Sequence, residues 1–244
     1  MTDVVGTSPY RKEAADKITG RAKYAGDFAE PGLLHAKLLV SKHAHARILS
    51  VDASEAWQHA GVRAIVTGKD VPVLAGAHLE DRPLLARDNV RYCGEPIAIV
   101  VEDTEYEAQV ACQVIKVDYE LLPVVNTLSQ ALTADAPLVH RDMSQYRQVK
   151  PVYPVLNTNI ANWTKIRKGN MQEGWRGSEV TVEAEYSFPQ SDHAAMETRC
   201  SYAEISSGGT VSITSSSQAP FNIKKLIHQL FHVCRCIILK FMFL

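Results

Sequence analysis

The most regular hydrophobic pattern lies in the first half of the chain, where short apolar runs alternate with polar turns. Residues 32–51 mix apolar pairs with alternating positions, which predicts two half-buried strands joined at a polar corner, Ser41-Lys42. The β-branched runs at 62–67 and 96–101 predict buried strands. Between them, residues 68–89 contain two prolines and two glycines, so we expect an irregular loop there.

A helix is predicted directly after the second buried strand. Asp103-Thr104 offers an N-cap, and apolar residues then recur at three- and four-residue spacing as far as Ile115. Residues 116–121 alternate polar and apolar side chains, which predicts a returning strand. Together these patterns predict a strand-helix-strand unit over residues 97–119.

Strand patterns return in the last third of the chain. Residues 180–187 alternate strictly, with apolar side chains on one face, and predict a strand. Residues 198–205 and 210–214 predict two more strands, joined as a hairpin by the glycine turn at 207–209. Residues 220–230 predict a helix, because a proline is tolerated in the first turn and an apolar stripe follows it.

The overall composition is typical of a folded protein with a net charge close to zero. The 244 residues are 46% apolar and 22% charged, with a formal net charge of −1 and no long basic run, so we expect no nucleic-acid partner. The first residues lack the apolar core of a secretory signal, and no apolar run is long enough to span a bilayer. A cytoplasmic protein is therefore expected.

The five cysteines are scattered along the chain, at positions 93, 112, 200, 234 and 236. They form no CxxC pair and no closely spaced group of the kind that holds an iron-sulfur cluster. Free thiols are therefore expected, and any iron-sulfur cluster is expected on another chain.

Seven short segments carry a resemblance to a known family. They are DKITGRAKY (16–24), PGLLHAK (31–37), HAHARI (43–48), RYCGEPIA (91–98), KIRKG (165–169), HAAME (193–197) and SQAP (217–220). In order and approximate spacing they resemble the molybdenum-binding large subunit of xanthine dehydrogenases and aldehyde oxidases. Each segment alone is unspecific, but seven in the same order make coincidence very improbable.

The resemblance implies an α+β fold in which an α/β-hammerhead domain precedes the incomplete start of a molybdopterin-binding domain. The boundaries that we predict are a 1–15 extension, a 16–125 hammerhead, a 126–150 connector, a 151–230 molybdopterin-binding segment and a divergent tail at 231–244. The predicted strand-helix-strand unit fits the hammerhead.

The resemblance also implies a chemistry. Members of this family hydroxylate purines such as hypoxanthine and xanthine, or aldehydes, with water and a molybdenum-molybdopterin cofactor, and electrons leave through iron-sulfur clusters and FAD. Iron-sulfur and FAD groups are expected on partner subunits, and a split-subunit enzyme implies the cytosine dinucleotide form of the cofactor. Within the family, the sequence Glu197-Thr198-Arg199-Cys200 favours a xanthine dehydrogenase over an aldehyde oxidase or a carbon monoxide dehydrogenase-like member.

One cofactor-binding residue, Gln218, follows from the resemblance. In the family, the glutamine of the matching motif hydrogen-bonds to a ligand on the molybdenum, and a neutral amide can both donate and accept there. From the residues alone, Gln218 would simply cap a strand end before Pro220. No catalytic residue is assigned, because the general-base glutamate of the family has no counterpart in this chain.

Other polar residues are expected to be structural. His193 and Glu197 are four residues apart, which in a strand separates them by roughly 13 Å. His43 and His45 share a strand face but have no third metal ligand nearby. Glu95 is expected to pair locally or to reach a subunit interface.

The C-terminal tail leaves three alternatives open. Agreement with the family stops near Ile227, and an apolar end follows, so a truncated or out-of-frame end and an inactive fragment form the simplest interpretation. A second hypothesis is a non-catalytic module that binds partner subunits through its hammerhead. A third is a zinc site formed by His228, His232, Cys234 and Cys236.

Overall fold

A computed structural model describes residues 5–195, 197–231 and 237–241. The helices are α1 (Ala14–Ile18), α2 (Glu105–Val114), α3 (Leu128–Ala131), α4 (Met171–Gly177) and α5 (Pro220–Phe231). The strands are β1 (His35–Val40), β2 (Ala46–Asp52), β3 (Val62–Thr67), β4 (Leu74–Ala75), β5 (Arg82–Pro83), β6 (Asn89–Val90), β7 (Pro96–Glu102), β8 (Lys116–Leu121), β9 (Ser201–Ile205), β10 (Val211–Ser215) and β11 (Ile237–Phe241). Within this described part, no helix is long and apolar enough to cross a membrane.

The chain divides into two compact units. The central unit comprises residues 32–192, and the terminal unit combines residues up to 31 with those from 193 onward. Helices and strands are mixed along the chain, and the α+β fold class is confirmed.

Two three-stranded antiparallel sheets form the central unit, with strand orders β1-β7-β3 and β6-β2-β8. The middle strand of the first sheet carries the fully buried residues Ile97, Ala98 and Val100. The predicted strands in residues 32–51, 62–67 and 96–101 are therefore confirmed. The proline- and glycine-containing stretch 68–89 holds only two-residue strands, as its composition predicted.

Helix α2 packs against the first sheet and closes one of the two hydrophobic clusters of the central unit. Thr104 caps it, because its Oγ1 accepts the Glu107 N–H at 3.2 Å. Ala111 and Cys112 of the helix are buried together with Val100 of β7. The strand-helix-strand prediction is confirmed, although β7 and β8 belong to different sheets.

The strand predicted at residues 180–187 is wrong. These residues have no regular secondary structure, and Val180, Val182 and Tyr186 are 79%, 85% and 76% exposed. A strand needs a hydrogen-bonded neighbour, and within the described residues no strand pairs with this segment. Alternation alone therefore did not suffice to form a strand here.

The terminal unit contains the predicted hairpin and helix. β9 and β10 pair antiparallel around the turn at Ser206–Thr210, where Gly209 adopts a φ of 78° that favours glycine. Helix α5 begins at Pro220, as predicted, and its apolar stripe is half-buried. β11 then pairs parallel to β10, with Ser215 opposite Phe241. The hairpin strand β9 begins at Ser201 rather than at the predicted residue 198.

Candidate cofactor site

Gln218 lies in the four-residue loop, 216–219, that joins the end of β10 to the start of α5. Its side chain is exposed, and the chain bends at this residue. The loop ends at Ala219, whose carbonyl oxygen accepts the Ile223 N–H at 3.1 Å and so forms the first turn of the helix. The amide of Gln218 is thus presented at the junction between a strand end and a helix N-terminus.

This junction has the geometry of a ligand site in parallel α/β structure. β10 and β11 run parallel, so their carboxyl ends lie at the same edge of the sheet. In open α/β sheets, ligands bind outside the carboxyl ends of the strands. The first N–H groups of a helix have no intrahelical partners and carry positive partial charge, which favours anionic oxygen atoms.

A group of hydroxyls fixes the loop to the neighbouring hairpin strand. Ser216 Oγ accepts the Cys200 N–H at 3.2 Å and can donate to the Thr198 carbonyl oxygen at 3.3 Å. The hydroxyls of Ser201 and Ser215 lie 2.8 Å apart. These bonds cross-link the residues directly before Gln218 to β9 and the segment leading into it, so the position of the loop is determined by several contacts.

Glu197 lies just before the segment that Ser216 holds. Its Oε1 accepts the backbone N–H of Ala25 at 3.2 Å, and its Oε2 is buried without a hydrogen-bond partner among the described residues. Nearby, Phe28 stacks on Tyr202 with a ring separation of 5.1 Å. Glu197 therefore holds the N-terminal segment to the hairpin and leaves one buried acceptor that a donating ligand could satisfy.

The residues at this junction fit a molybdopterin-type group. The exposed Gln218 amide both donates and accepts, the helix N-terminus suits anionic oxygens, and Glu197 Oε2 is an unsatisfied buried acceptor. No group of three or more His, Cys, Asp or Glu side chains that could bind a metal occurs among the described residues.

His193 and Glu197 do not share a strand. The chain between them is irregular, and Ala194 has a φ of 46°, in the left-handed region that non-glycine residues rarely adopt. His193 is exposed, whereas Glu197 is half-buried and holds Ala25. The geometry supports the structural role expected for Glu197 and corrects the extended conformation predicted around it.

The histidines and Glu95 of the central unit also have structural contacts. His45 Nδ1 lies 2.6 Å from the carbonyl oxygen of Pro123, to which it must donate, and His43 packs edge-on against Tyr119. Glu95 is buried and accepts the Arg91 N–H at 2.5 Å, so it pairs locally. Burial raises the pKa of Glu95, although the nearby Arg91 opposes the shift.

The structure describes only one of the four residues of the zinc site predicted for the tail. His228 is an exposed residue of α5, while His232, Cys234 and Cys236 lie outside the described residues. Cys93, Cys112 and Cys200 are free thiols. The zinc hypothesis for the tail stays a prediction.

The hydroxyl cluster was not predicted from the sequence. Its signal is the polar run Thr214-Ser215-Ser216-Ser217 directly before Gln218, because consecutive hydroxyls at a strand end often bond to the backbone of a neighbour. The contact between Glu197 and Ala25 joins residues 172 positions apart and has no local signal.

Two family models match the chain in succession. Residues 19–123 match the hammerhead domain of aldehyde oxidase and xanthine dehydrogenase, and residues 152–236 match a molybdopterin cofactor-binding domain. The chain belongs to the aldehyde oxidase and xanthine dehydrogenase family. The second match includes both the Gln218 loop and α5.

Individual relatives agree with this assignment. The chain is 32% identical to a probable xanthine dehydrogenase subunit of Bacillus subtilis, over 93% of this chain and 29% of that protein. It is 30% identical to the putative xanthine dehydrogenase molybdenum-binding subunit of Escherichia coli, over 90% of this chain and 29% of that protein. The chain thus spans less than a third of the length of these relatives.

A solved structure gives the same result for the fold. Quinoline 2-oxidoreductase from Pseudomonas putida superposes with a TM-score of 0.80 at 27% identity, covering 97% of this chain and 30% of that one. The family is therefore one of molybdenum oxidoreductases whose members act on different substrates.

Proposed function

We propose that this chain is part of a molybdenum hydroxylase that oxidises a purine such as hypoxanthine or xanthine with water. The observation that carries the proposal is the exposed Gln218 amide at the junction of β10 and α5, inside the segment that matches a molybdopterin cofactor-binding domain. When bound, the molybdenum cofactor supplies the oxidation chemistry. The residues of this chain hold and orient that group.

In this proposal Gln218 contacts a ligand of the molybdenum through its side-chain amide. The amide suits such a ligand because it can donate or accept without adding a charge. The first turn of α5 contributes backbone N–H groups for anionic oxygens of the cofactor. Ser216 keeps the loop in place through its bonds to Cys200 and Thr198.

A purine substrate, a cytosine dinucleotide cofactor and partner subunits with FAD and iron-sulfur clusters complete the proposal. The purine is supported by the Glu197-Thr198-Arg199-Cys200 sequence and by relatives named as xanthine dehydrogenase subunits. Separate partners are supported by those relatives, which are themselves named as subunits. Because the chain spans less than a third of their length, we expect the 244 residues alone to turn over no substrate.

A chimera tests the role of Gln218. This chain would replace the matching part of the Bacillus subtilis relative, and the protein would be produced with its partner subunits. We expect hypoxanthine oxidation that Gln218→Ala lowers about 10–100-fold, with a lower molybdenum content. Gln172→Ala is the matched control, because Gln172 is also an exposed glutamine and lies in the central unit. Equal activity of the Gln218 and Gln172 variants would refute the cofactor role.

The expected inactivity of the isolated chain needs a separate test. The purified 244-residue chain would be supplied with molybdenum cofactor, hypoxanthine or an aldehyde, and an artificial electron acceptor. We expect no uric acid, xanthine or carboxylate product. Turnover above that of a sample without protein would contradict this part of the proposal and leave the family assignment intact.

A second candidate function is a non-catalytic module that binds the FAD and iron-sulfur subunits. The observation in its favour is that the central unit contains two hydrophobic clusters of its own, around Val100 and around Ile97. Pull-down of the partner subunits by the isolated chain would support this function. Lack of capture, with capture by the full-length relative as the positive control, would argue against it.

A further inference from the structure

A polar cleft lies in the central unit, apart from the loop that carries Gln218. It has a volume of about 120 Å³ and lies between the β6-β2-β8 sheet and residues 138–142 of the connecting segment. Three arginines, Arg47, Arg91 and Arg141, contribute to its wall together with His45 and a single carboxylate, that of Asp142. Three positively charged guanidinium groups therefore line one small cleft.

Arg91 is the most constrained of these cations. Its side chain is only 17% exposed, and its Nη1 lies 3.9 Å from Glu95 Oε1, beyond hydrogen-bond distance. Its Nε is buried and has no hydrogen-bond partner among the described residues. Because the guanidinium is always charged, the side chain that lines this cleft favours an anionic ligand.

The other two arginines differ in how they are neutralised. Arg47 Nη1 donates to Glu120 Oε2 at 2.7 Å, an exposed pair. Arg141 is exposed and makes no ion pair with any carboxylate in the described part of the chain. His45 is fixed by its Nδ1 bond to the Pro123 carbonyl oxygen. The cleft thus combines one buried, incompletely bonded guanidinium with one exposed guanidinium.

We propose that this cleft binds a phosphate group, either inorganic hydrogen phosphate or a small phosphate monoester. Arginine side chains match the geometry of phosphate oxygens and bind them through charge-assisted hydrogen bonds. A cleft of about 120 Å³ is large enough to admit one tetrahedral oxyanion.

Asp142 gives the site a basis for selectivity. A protonated phosphate oxygen can donate a hydrogen bond to its carboxylate, whereas sulfate carries no proton at neutral pH and would be repelled. The site uses only residues of the central unit, so it does not depend on the function proposed for Gln218.

The test is calorimetric titration of the full 244-residue chain with inorganic phosphate, glycerol phosphate and sulfate at constant ionic strength. We expect saturable phosphate binding with a Kd below about 1 mM and at least roughly tenfold weaker binding of sulfate. Arg141→Gln should weaken phosphate binding by roughly tenfold or more, while Arg63→Gln, at an exposed ion pair outside the cleft, should leave it unchanged.

Two further measurements decide the assignment. Asp142→Asn should remove most of the preference for phosphate over sulfate, and the Nε–H resonance of Arg91 should shift on addition of phosphate. Tighter binding of glycerol phosphate would assign the site to a monoester, and equal or weaker binding to free phosphate. Weak, unsaturable binding of both anions that Arg141→Gln does not change, or an unshifted Arg91 resonance at saturation, would overturn the proposal.

Discussion

Strand β7 and the segment 180–188 are both rich in β-branched and aromatic or aliphatic residues, but their environments are opposite. β7 lies between β1 and β3, and its Ile97 and Val100 are fully buried. In the segment 180–188, Val182 and Phe188 are 85% and 84% exposed, and no strand of the described chain pairs with it. The difference indicates that a hydrogen-bonded neighbour and a buried face are needed, in addition to the residue pattern, for such a sequence to form a strand.

Truncating one apolar side chain in each segment should give the largest contrast. Ile97→Ala removes fully buried methyl groups and should lower the free energy of unfolding by about 2–5 kcal/mol. Val182→Ala removes only exposed atoms and should change it by less than ~0.5 kcal/mol. Urea unfolding followed by circular dichroism measures both values. Similar losses in the two variants would show that residues 180–188 are packed after all.

Glycine substitutions extend the comparison from side chains to the backbone. A Cβ at Gly76 would overlap the backbone carbonyl oxygen of Leu79, so Gly76→Ala should destabilise the central unit by roughly 1–3 kcal/mol. Gly174 lies in α4, and a Cβ there meets no atom within 4 Å. Gly174→Ala should therefore be neutral or slightly stabilising, because alanine favours helix. Thermal unfolding of both variants shows whether each substitution lowers or raises the stability of the protein. A stabilised Gly76→Ala variant would contradict the close approach of Leu79 to Gly76.

The sequence predicted those parts of the fold whose signal is local. Thr104 as the α2 cap, Pro220 as the first residue of α5 and the glycine turn before β10 follow from residue chemistry within one turn of the chain. The segment 180–187 was predicted wrongly because its outcome depends on a partner strand, which the local alternation does not specify. Ala25 and Glu197 are in contact and belong to the same unit, although they are far apart in sequence. No local sequence pattern predicts that contact.

The candidate site was predictable to a similar extent. Gln218 was located through a resemblance of its short motif, and the residues alone favoured only a strand-end cap. The bonds of Ser216 to Cys200 and Thr198 depend on how β9 and β10 align, so they could be inferred only after the hairpin register was known. Likewise, Arg47 and Arg141 line one cleft although 94 positions separate them in sequence.

Helix caps give a contrast of intermediate size. Thr104→Ala should cost the central unit about 1 kcal/mol, because α2 packs on the core and its cap satisfies the Glu107 N–H. Asn170 caps α4 in the same manner, accepting the Gln172 N–H at 3.0 Å, but α4 buries no residue. Asn170→Ala should therefore reduce helical content without moving the urea midpoint. Equal midpoint shifts would mean that α4 contributes to the cooperative core.

The smallest expected effect concerns the carboxylate that precedes β7. Burial raises the pKa of Glu95 above its ordinary value of 4.5, so the folded state binds protons more tightly than the unfolded state. The stability that this provides is complete below the unfolded pKa and is lost as pH rises through the folded pKa. Glu95→Gln should remove this loss, so the variant should gain stability relative to the parent protein as pH rises from about 4 to 7.

Asp70, in the exposed loop after β3, should give the opposite slope. Hydrogen bonds from the Thr67 N–H and hydroxyl, both at 2.8 Å, lower the pKa of Asp70 below its ordinary value of 3.8. The stability from this group is present above the unfolded pKa and is lost as pH falls through the folded pKa, so the defect of Asp70→Asn should shrink on acidification. Urea midpoints of both variants between about pH 3 and 8 measure the two slopes. If the stability difference between variant and parent changed with pH in the same direction for both variants, the burial of Glu95 would not outweigh its bonds to Arg91.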